Sequence, residues 1–213
     1  MIWYTFLKDC DRTLLDQRLH AFPELLQQRI NAYRQEEDRY VRIAGKLLLE
    51  AAVQHFYPKH KSVLSGLYKT AQHQPRLHRP PLYFSTAYSK GICVLSADLR
   101  LENGIDVEYR QAGIDIAVYK DFLHPEEQKA LLQSRDQDGL FYHCWTGKEA
   151  VLKAAGSGIQ EACLADINTR QAPILWNGQA FYLQQIDIDP DYVVQVAGTE
   201  PEYKMDIRQL FLR

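Results

Sequence analysis

The sequence predicts an α+β protein built as two pseudo-symmetric halves, residues 1–103 and 104–213, each with helix packed on antiparallel sheet. Three observations carry this. The order of expected elements is helices then strands, and that order occurs twice. The segment Gly45-Lys46-Leu47-Leu48-Leu49-Glu50-Ala51-Ala52 resembles Gly147-Lys148-Glu149-Ala150-Val151-Leu152-Lys153-Ala154, about half a chain further on. Finally, 213 residues of which 46% are hydrophobic can fill one large core or two small ones.

Taken in order, Thr13 to Tyr57 has helical periodicity broken around Pro23, and Val41, Ala44, Leu48, Ala51 and Ala52 form one apolar face that Pro58 ends. His73 to Pro81 carries three prolines and is predicted to be a loop. Strands are expected over Leu82–Thr86, Gly91–Ala97 and Ile105–Tyr109, and helices over Pro125–Gln133 and Leu140–Ala155, the second stopped by Gly156-Ser157-Gly158. Strands then return at Ile174–Trp176, Ala180–Ile186, Tyr192–Ala197 and Tyr203–Leu210, with an Asn177-Gly178 hairpin turn between the first two.

Composition excludes several functions. Lys+Arg total 25 against Asp+Glu 27, for a net charge of −2 and a pI near 6.4. A nucleic-acid binder needs a basic surface that this balance does not provide. No apolar run reaches the roughly 20 residues of a membrane span, and Met1 to Arg12 lacks the pattern of a secretion signal. Cys10, Cys93, Cys144 and Cys163 are scattered, which fits reduced thiols in a cytoplasmic protein. No GxSxG, HExxH or P-loop is present.

Two segments carry chemistry. In Gly104-Ile105-Asp106-Val107-Glu108-Tyr109, strand alternation turns Ile105, Val107 and Tyr109 one way, toward a core, and Asp106 and Glu108 the other. Carboxylates about 7 Å apart at Cα on one strand can converge on a small hard cation such as Mg²⁺. The same pattern also describes an edge strand with a solvated acidic face. In Trp145-Thr146-Gly147-Lys148-Glu149-Ala150-Val151-Leu152-Lys153, a helical wheel puts Trp145, Lys148, Glu149 and Leu152 on one side with Lys153 at its margin. Glu149 could supply a third carboxylate and Lys153 could reach phosphate oxygens; an ordinary surface Glu–Lys pair fits the spacing equally. Core packing suits Trp3, Trp145 and Trp176 better than ligand stacking, and core or surface packing suits His143 better than catalysis.

Together these motifs resemble the 4′-phosphopantetheinyl transferases of the surfactin-synthetase-activating type. That family has Gly-[Ile/Val]-Asp-[Ile/Val]-Glu followed by Trp-x-x-Lys-Glu-x-x-x-Lys and Gly-x-Gly, with Phe122-Leu123-His124-Pro125-Glu126-Glu127 similar to its intervening Phe-Phe-[Ser/Thr]-x-x-Glu. Asp38 to Leu49 is similar to its Arg-containing helix, and Phe84 to Gly91 stands in place of Phe-Asn-x-Ser-His-Ser-x-Gly. The resemblance implies a coenzyme A cleft between the halves, with 1–103 on the nucleotide side and 104–213 carrying the catalytic and metal motifs. It implies transfer of 4′-phosphopantetheine from coenzyme A to a serine of an acyl or peptidyl carrier protein of fatty acid, polyketide or nonribosomal peptide synthesis, with release of adenosine 3′,5′-bisphosphate. It assigns Asp106, Glu108 and Glu149 to Mg²⁺, Glu149 and Lys153 to catalysis, and Arg42, Gln74, Arg76, Tyr88, Ser89, Asp106, Lys148 and Lys153 to coenzyme A. A monomer is expected, because such a cleft is internal to one chain.

The nucleotide end departs from the family pattern. His73-Gln74-Pro75 stands where Gly-Lys-Pro is usual, Ala87-Tyr88-Ser89 where Ser-His-Ser is usual, and Val41 where an arginine is usual. Arg42, Arg76 and Lys90 are the candidates to restore positive charge. These departures mildly favour a second reading, a non-catalytic coenzyme A or carrier-protein binding module. The retained Asp106, Glu108, Glu149 and Lys153 favour the enzyme.

Overall fold

The computed structural model describes residues 1–61, 63–158, 161–201 and 205–213, with only the backbone described for 161–163. The chain divides into two compact units, Met1–Arg100 with Met205–Arg213, and Leu101–Lys204. The first unit reclaims the C-terminal segment, which the sequence reading had placed in the second half. The physical reason is a parallel pairing of the C-terminal strand with the N-terminal one, Ile2 opposite Ile207.

The first unit contains β1 (Ile2–Phe6), α1 (Arg12–His20), α2 (Glu24–Asn31), α3 (Glu36–Phe56), β2 (Leu67–Lys69), β3 (Pro75–Leu77), β4 (Tyr83–Ser89) and β5 (Ile92–Asp98). Its main sheet has the order β10-β1-β5-β4, where β10 is Ile207–Gln209, and β2 pairs with β3 in a separate hairpin. Asp11 caps α1 by accepting hydrogen bonds from the amides of Thr13 and Leu14 at 2.8 and 3.2 Å. Pro23 separates α1 from α2, and Glu36, Glu37 and Asp38 place negative charge in the first turn of α3, where the helix dipole favours it. The buried stripe of α3 joins Trp3, Leu15, Leu19, Phe84 and Leu95 in one apolar core.

The second unit begins with β6 (Asn103–Tyr109) and continues through a 3₁₀ segment (Ile116–Phe122), α4 (Pro125–Gln133) and α5 (Gln137–Ala155). It ends with β7 (Ile174–Trp176), β8 (Gln179–Gln185) and β9 (Tyr192–Gly198), in the sheet order β6-β9-β8-β7. His124 and Glu127 form a reciprocal capping box at α4, with Pro125 in its first turn. Asp136 caps α5, and Gly156, in a left-handed conformation at φ 66°, closes it. Asn177 and Gly178 have φ of 49° and 77°, the two left-handed residues that a tight hairpin of this type requires.

Both units share one topology. An opening strand precedes the long helix and then pairs antiparallel with the last strand of the following hairpin: β1 with β5, β6 with β9. The repeat is therefore strand, helix, strands, rather than helices then strands. Two further differences concern the stretch predicted as a loop, where Pro75–Leu77 forms the short strand β3, and the C-terminal strand, which is Ile207–Gln209; Tyr203 lies outside the described residues. Cys10, Cys93 and Cys144 form no disulfide among the described residues, and the Cys163 side chain is outside them. Among the described residues no helix is long and apolar enough to cross a membrane.

The hairpin turn gives a direct test. Gly178→Ala forces a side chain into a left-handed conformation and is expected to cost about 1 kcal/mol or slightly more, a fall in Tm of about 2–4 °C for a chain of this size. Differential scanning calorimetry measures it.

Candidate functional site

The second-unit site is made by laying α5 directly on β6. Gly104, with no side chain, permits this: a Cβ there would collide with the Ala150 carbonyl oxygen and the Ala154 amide nitrogen, and would lie 2.9 Å from the Lys153 Cβ. Side chains two apart on a strand share a face, so Asp106 follows Gly104 onto the helix-covered side. Asp106 is 3% exposed, which removes the solvated-face reading of this strand. Ile105 and Val107, on the opposite face, are also buried.

The Lys153 ammonium donates to Asp106 Oδ1 at 2.6 Å and to the Ile105 carbonyl oxygen at 3.2 Å, and lies 3.7 Å from Glu149 Oε2. Asp106 Oδ2 is buried without a hydrogen-bond partner. Burial pushes the Asp106 carboxyl up to about 8; Lys153 opposes the shift, while Glu149 and Glu108 add to it. For Lys153, burial favours the neutral form, but Asp106 and Glu149 together hold its pKa above that of an ordinary lysine. Glu108 is half-buried and acts on both groups through its charge. Lys153 thus pairs with Asp106 and Glu149, and Glu108 adds negative charge to the group. No three metal-capable side chains converge on one point among the described residues. The structure gathers Asp106 and Glu149 around Lys153 rather than three carboxylates around a common centre.

Lys148 does not join this group, contrary to the expectation that it contacts coenzyme A. Successive helical residues diverge by about 100°, so α5 sends Glu149 toward β6 and Lys148 to the interior. There its ammonium is fully buried and saturated, donating to Glu127 Oε2 at 2.7 Å, the Leu164 carbonyl at 2.7 Å and the Ile167 carbonyl at 2.5 Å. Glu127 also accepts from the His124 amide at 2.9 Å and from the Thr169 amide and hydroxyl at 3.0 and 2.6 Å. Its capping position hinted at this, but nothing in the spacing pointed to Lys148 as its partner. The pair ties α4 and the 164–169 segment to α5. Trp145 packs among Tyr119, Phe122 and Phe141. His143 meets Gln195, whose amide lies 3.1 Å from its Nδ1 and donates to its carbonyl oxygen at 2.9 Å; burial, then Arg110, lowers its pKa.

The remaining predicted residues lie in the first unit. Arg42 places its guanidinium over Tyr33 and Tyr88, 5.0 and 4.3 Å from the ring centroids. The Tyr88 ring fills the space beside Gly45, where a Cβ would collide with the phenol oxygen and lie 2.8 Å from a ring carbon. Tyr88 is thus a platform beneath Arg42, and its hydroxyl bonds to Thr86. Gln74 Oε1 accepts from Arg76 at 2.8 Å in the β2–β3 hairpin, and Arg76 lies 5.6 Å from the Tyr83 centroid. Ser89 closes β4.

The second unit lays a helix on an antiparallel sheet with a part-buried Asp–Lys–Glu group where they meet, and residues 102–206 match the family model of the 4'-phosphopantetheinyl transferase superfamily. The chain belongs to that superfamily. It is 31% identical over 130 residues to the 4'-phosphopantetheinyl transferase psf-1 of Bacillus pumilus, covering 60% of this chain and 53% of that protein. It is 30% identical over 133 residues to HetI of Nostoc sp., covering 57% and 55%. These two matches span about half the length of those relatives. Similarity to Sfp of Bacillus subtilis is lower, 23%, but covers 92% of both chains. The solved holo-[acyl-carrier-protein] synthase of Thermotoga maritima aligns with 48% of this chain and 65% of its own, at a TM-score of 0.36 and 16% identity.

Two substitutions probe the local physics. Glu127→Ala strands a buried ammonium and is expected to cost about 3–5 kcal/mol, whereas the double change Glu127→Leu with Lys148→Met should be close to neutral. Urea unfolding separates the two cases. Gly104→Ala should lower stability by about 1–3 kcal/mol by overpacking the helix–strand contact, read as a fall in the urea midpoint at unchanged slope.

Proposed function

We propose that this protein transfers the 4′-phosphopantetheine group of coenzyme A to a serine hydroxyl of an acyl or peptidyl carrier protein. The observation that carries the reading is the Asp106–Lys153–Glu149 group on the α5–β6 contact, with Asp106 buried and its two partners half-buried, in a chain of this superfamily. In the reaction the serine oxygen forms a bond to the phosphorus that bears the pantetheine arm. The bond from that phosphorus to the bridging oxygen of the pyrophosphate breaks, and adenosine 3′,5′-bisphosphate leaves with the electron pair. The serine proton passes to a carboxylate, and Glu149, at 16% side-chain exposure the more accessible of the two lysine partners, is the base assigned here.

Phosphoryl transfer of this kind needs alignment and charge stabilisation more than covalent help. Lys153 provides fixed positive charge, oriented by Asp106 Oδ1 and the Ile105 carbonyl, so it reorganises little as charge grows on the transferring group. Asp106, through its orphaned Oδ2, and Glu149 would hold Mg²⁺, with Glu108 adding negative charge nearby; the ion would supply Lewis-acid charge to the phosphate oxygens of the substrate. Burial of Asp106 beneath α5 keeps water from competing for these contacts.

Incubation of the native protein with coenzyme A, Mg²⁺ and a panel of apo carrier proteins should add the mass of one phosphopantetheine to at least one carrier. No mass gain on any carrier would remove this reading. Lys153→Ala should lower the single-turnover rate by about 3 kcal/mol of barrier, on the order of a hundredfold, with a smaller loss of coenzyme A affinity. Equal losses in both quantities would assign Lys153 to ground-state binding.

A further inference from the structure

Charge divides unevenly between the two units. Residues 1–100 with 205–213 carry 17 Lys and Arg against 10 Asp and Glu, whereas residues 101–204 carry 8 against 17. The imbalance is sharpest from Ala51 to Ala97, where six Lys and Arg occur with no Asp or Glu. Three of the six are not among the residues assigned above to coenzyme A: Lys59 and Lys61, in the turn after α3, and Arg79, just past β3. All three are exposed, and among the described residues no hydrogen bond or ion pair holds any of them. By contrast Arg12, Arg18 and Arg110 are paired with Glu36, Glu50 and Asp136.

Local structure gathers these cations. The Tyr57 hydroxyl donates to the Pro81 carbonyl oxygen at 2.7 Å, which ties the end of α3 to the segment after β3; Lys59 and Arg79 each stand two residues from that bond. On the β2–β3 hairpin, Leu77 and Leu67 pack against the first-unit core, and alternation turns Tyr68, Arg76 and His78 to the other face. There Tyr68, 38% exposed, stacks on His78 with ring centroids 4.1 Å apart. An exposed aromatic beside unpaired cations, in a segment without carboxylates, has the composition of an interface for an anionic partner. Number decides which kind. Membrane recognition takes clusters of about four to eight cations, and the chain's net charge of −2 opposes nucleic acid. Three cations suit a patch on a small acidic protein. The second unit, with its excess of carboxylates, repels such a protein, so the attraction comes from the first.

We propose that Lys59, Lys61 and Arg79, with the Tyr68–His78 stack, form a docking surface for an acidic face of the carrier protein. The inference rests on the carrier-protein reading above and deepens it, by naming the charge of the partner's face and the surface that meets it. Docking of this kind speeds encounter and weakens with salt. It leaves the chemical step alone, because none of these residues belongs to the catalytic group.

Steady-state kinetics of the native protein and of the triple variant Lys59→Glu, Lys61→Glu, Arg79→Glu test the surface. The triple variant should lower kcat/KM for an apo carrier by about tenfold or more through KM, with kcat at saturation and the KM of coenzyme A unchanged. The native value should fall toward that of the variant as salt rises. Tyr68→Ala should raise the carrier KM in the same selective way, and exchanging carboxylates of the carrier face for lysine should restore the triple variant. An unchanged carrier KM, or a parallel rise in the KM of coenzyme A, overturns the docking surface. So does a triple variant that loses binding to phosphatidylserine vesicles while its carrier kinetics stay native. A native protein that modifies no carrier removes the transfer reading instead. The surface is then decided by calorimetric binding of the same apo carriers: salt-sensitive binding that the triple variant loses upholds it, and no binding, or binding that the variant retains, overturns it.

Discussion

The close contact of α5 with β6 over Gly104 is the constraint on which the second unit depends. A helix that packs through side chains stands well away from a sheet, and a lysine on it would meet strand carboxylates only at its full reach. Here the helix backbone itself touches the strand. Lys153 can therefore bind both the Asp106 carboxylate and the Ile105 carbonyl from one position. The same approach covers Asp106, and burial is what raises its pKa and leaves one of its oxygens unsatisfied. Electrostatics at the site thus follow from a steric fact about one glycine.

On the other flank of α5, the Glu127–Lys148 pair holds the helix in register. Buried ion pairs contribute little net stability, because desolvation offsets attraction. Their contribution is specific geometry: every donor of Lys148 and both oxygens of Glu127 are engaged, so α5 has one satisfied position relative to α4 and the 164–169 segment. The long helices α3 and α5 use glycine alike. Gly45 accepts the ring of Tyr88, and Gly147 sits 2.9 Å, at the position a Cβ would take, from a methyl of Leu183 on β8. The sequence similarity around these two glycines therefore marks equivalent helix-on-sheet contacts.

Elements with strong local punctuation were legible in the sequence. Pro125–Gln133 and Ile174–Trp176 have the expected ends, because His124 and Pro125 fix the first and the Asn177-Gly178 turn terminates the second. β1 escaped notice because Ile2, Trp3, Thr5 and Phe6 are buried on both faces, which erases the alternation that marks a half-exposed strand. β3 was hidden because Pro75, Pro80 and Pro81 mark its stretch as a loop; it begins at Pro75, the strand position where a missing donor costs least. In the site, the Asp106, Glu149 and Lys153 grouping was readable from motif spacing. The inward turn of Lys148 was not, since its partners Glu127, Leu164 and Ile167 are set by tertiary packing alone.

The pairing of β10 with β1 makes the second unit an insertion within the chain of the first. During synthesis, residues 1–100 emerge with one edge of their main sheet uncovered, and about a hundred residues must follow before the covering strand is made. An open strand edge is a template for pairing with other chains. The interval between the two halves of this sheet is consequently the stage at which the nascent protein is most exposed to aggregation. A fragment cut at the boundary between the units would keep that edge permanently.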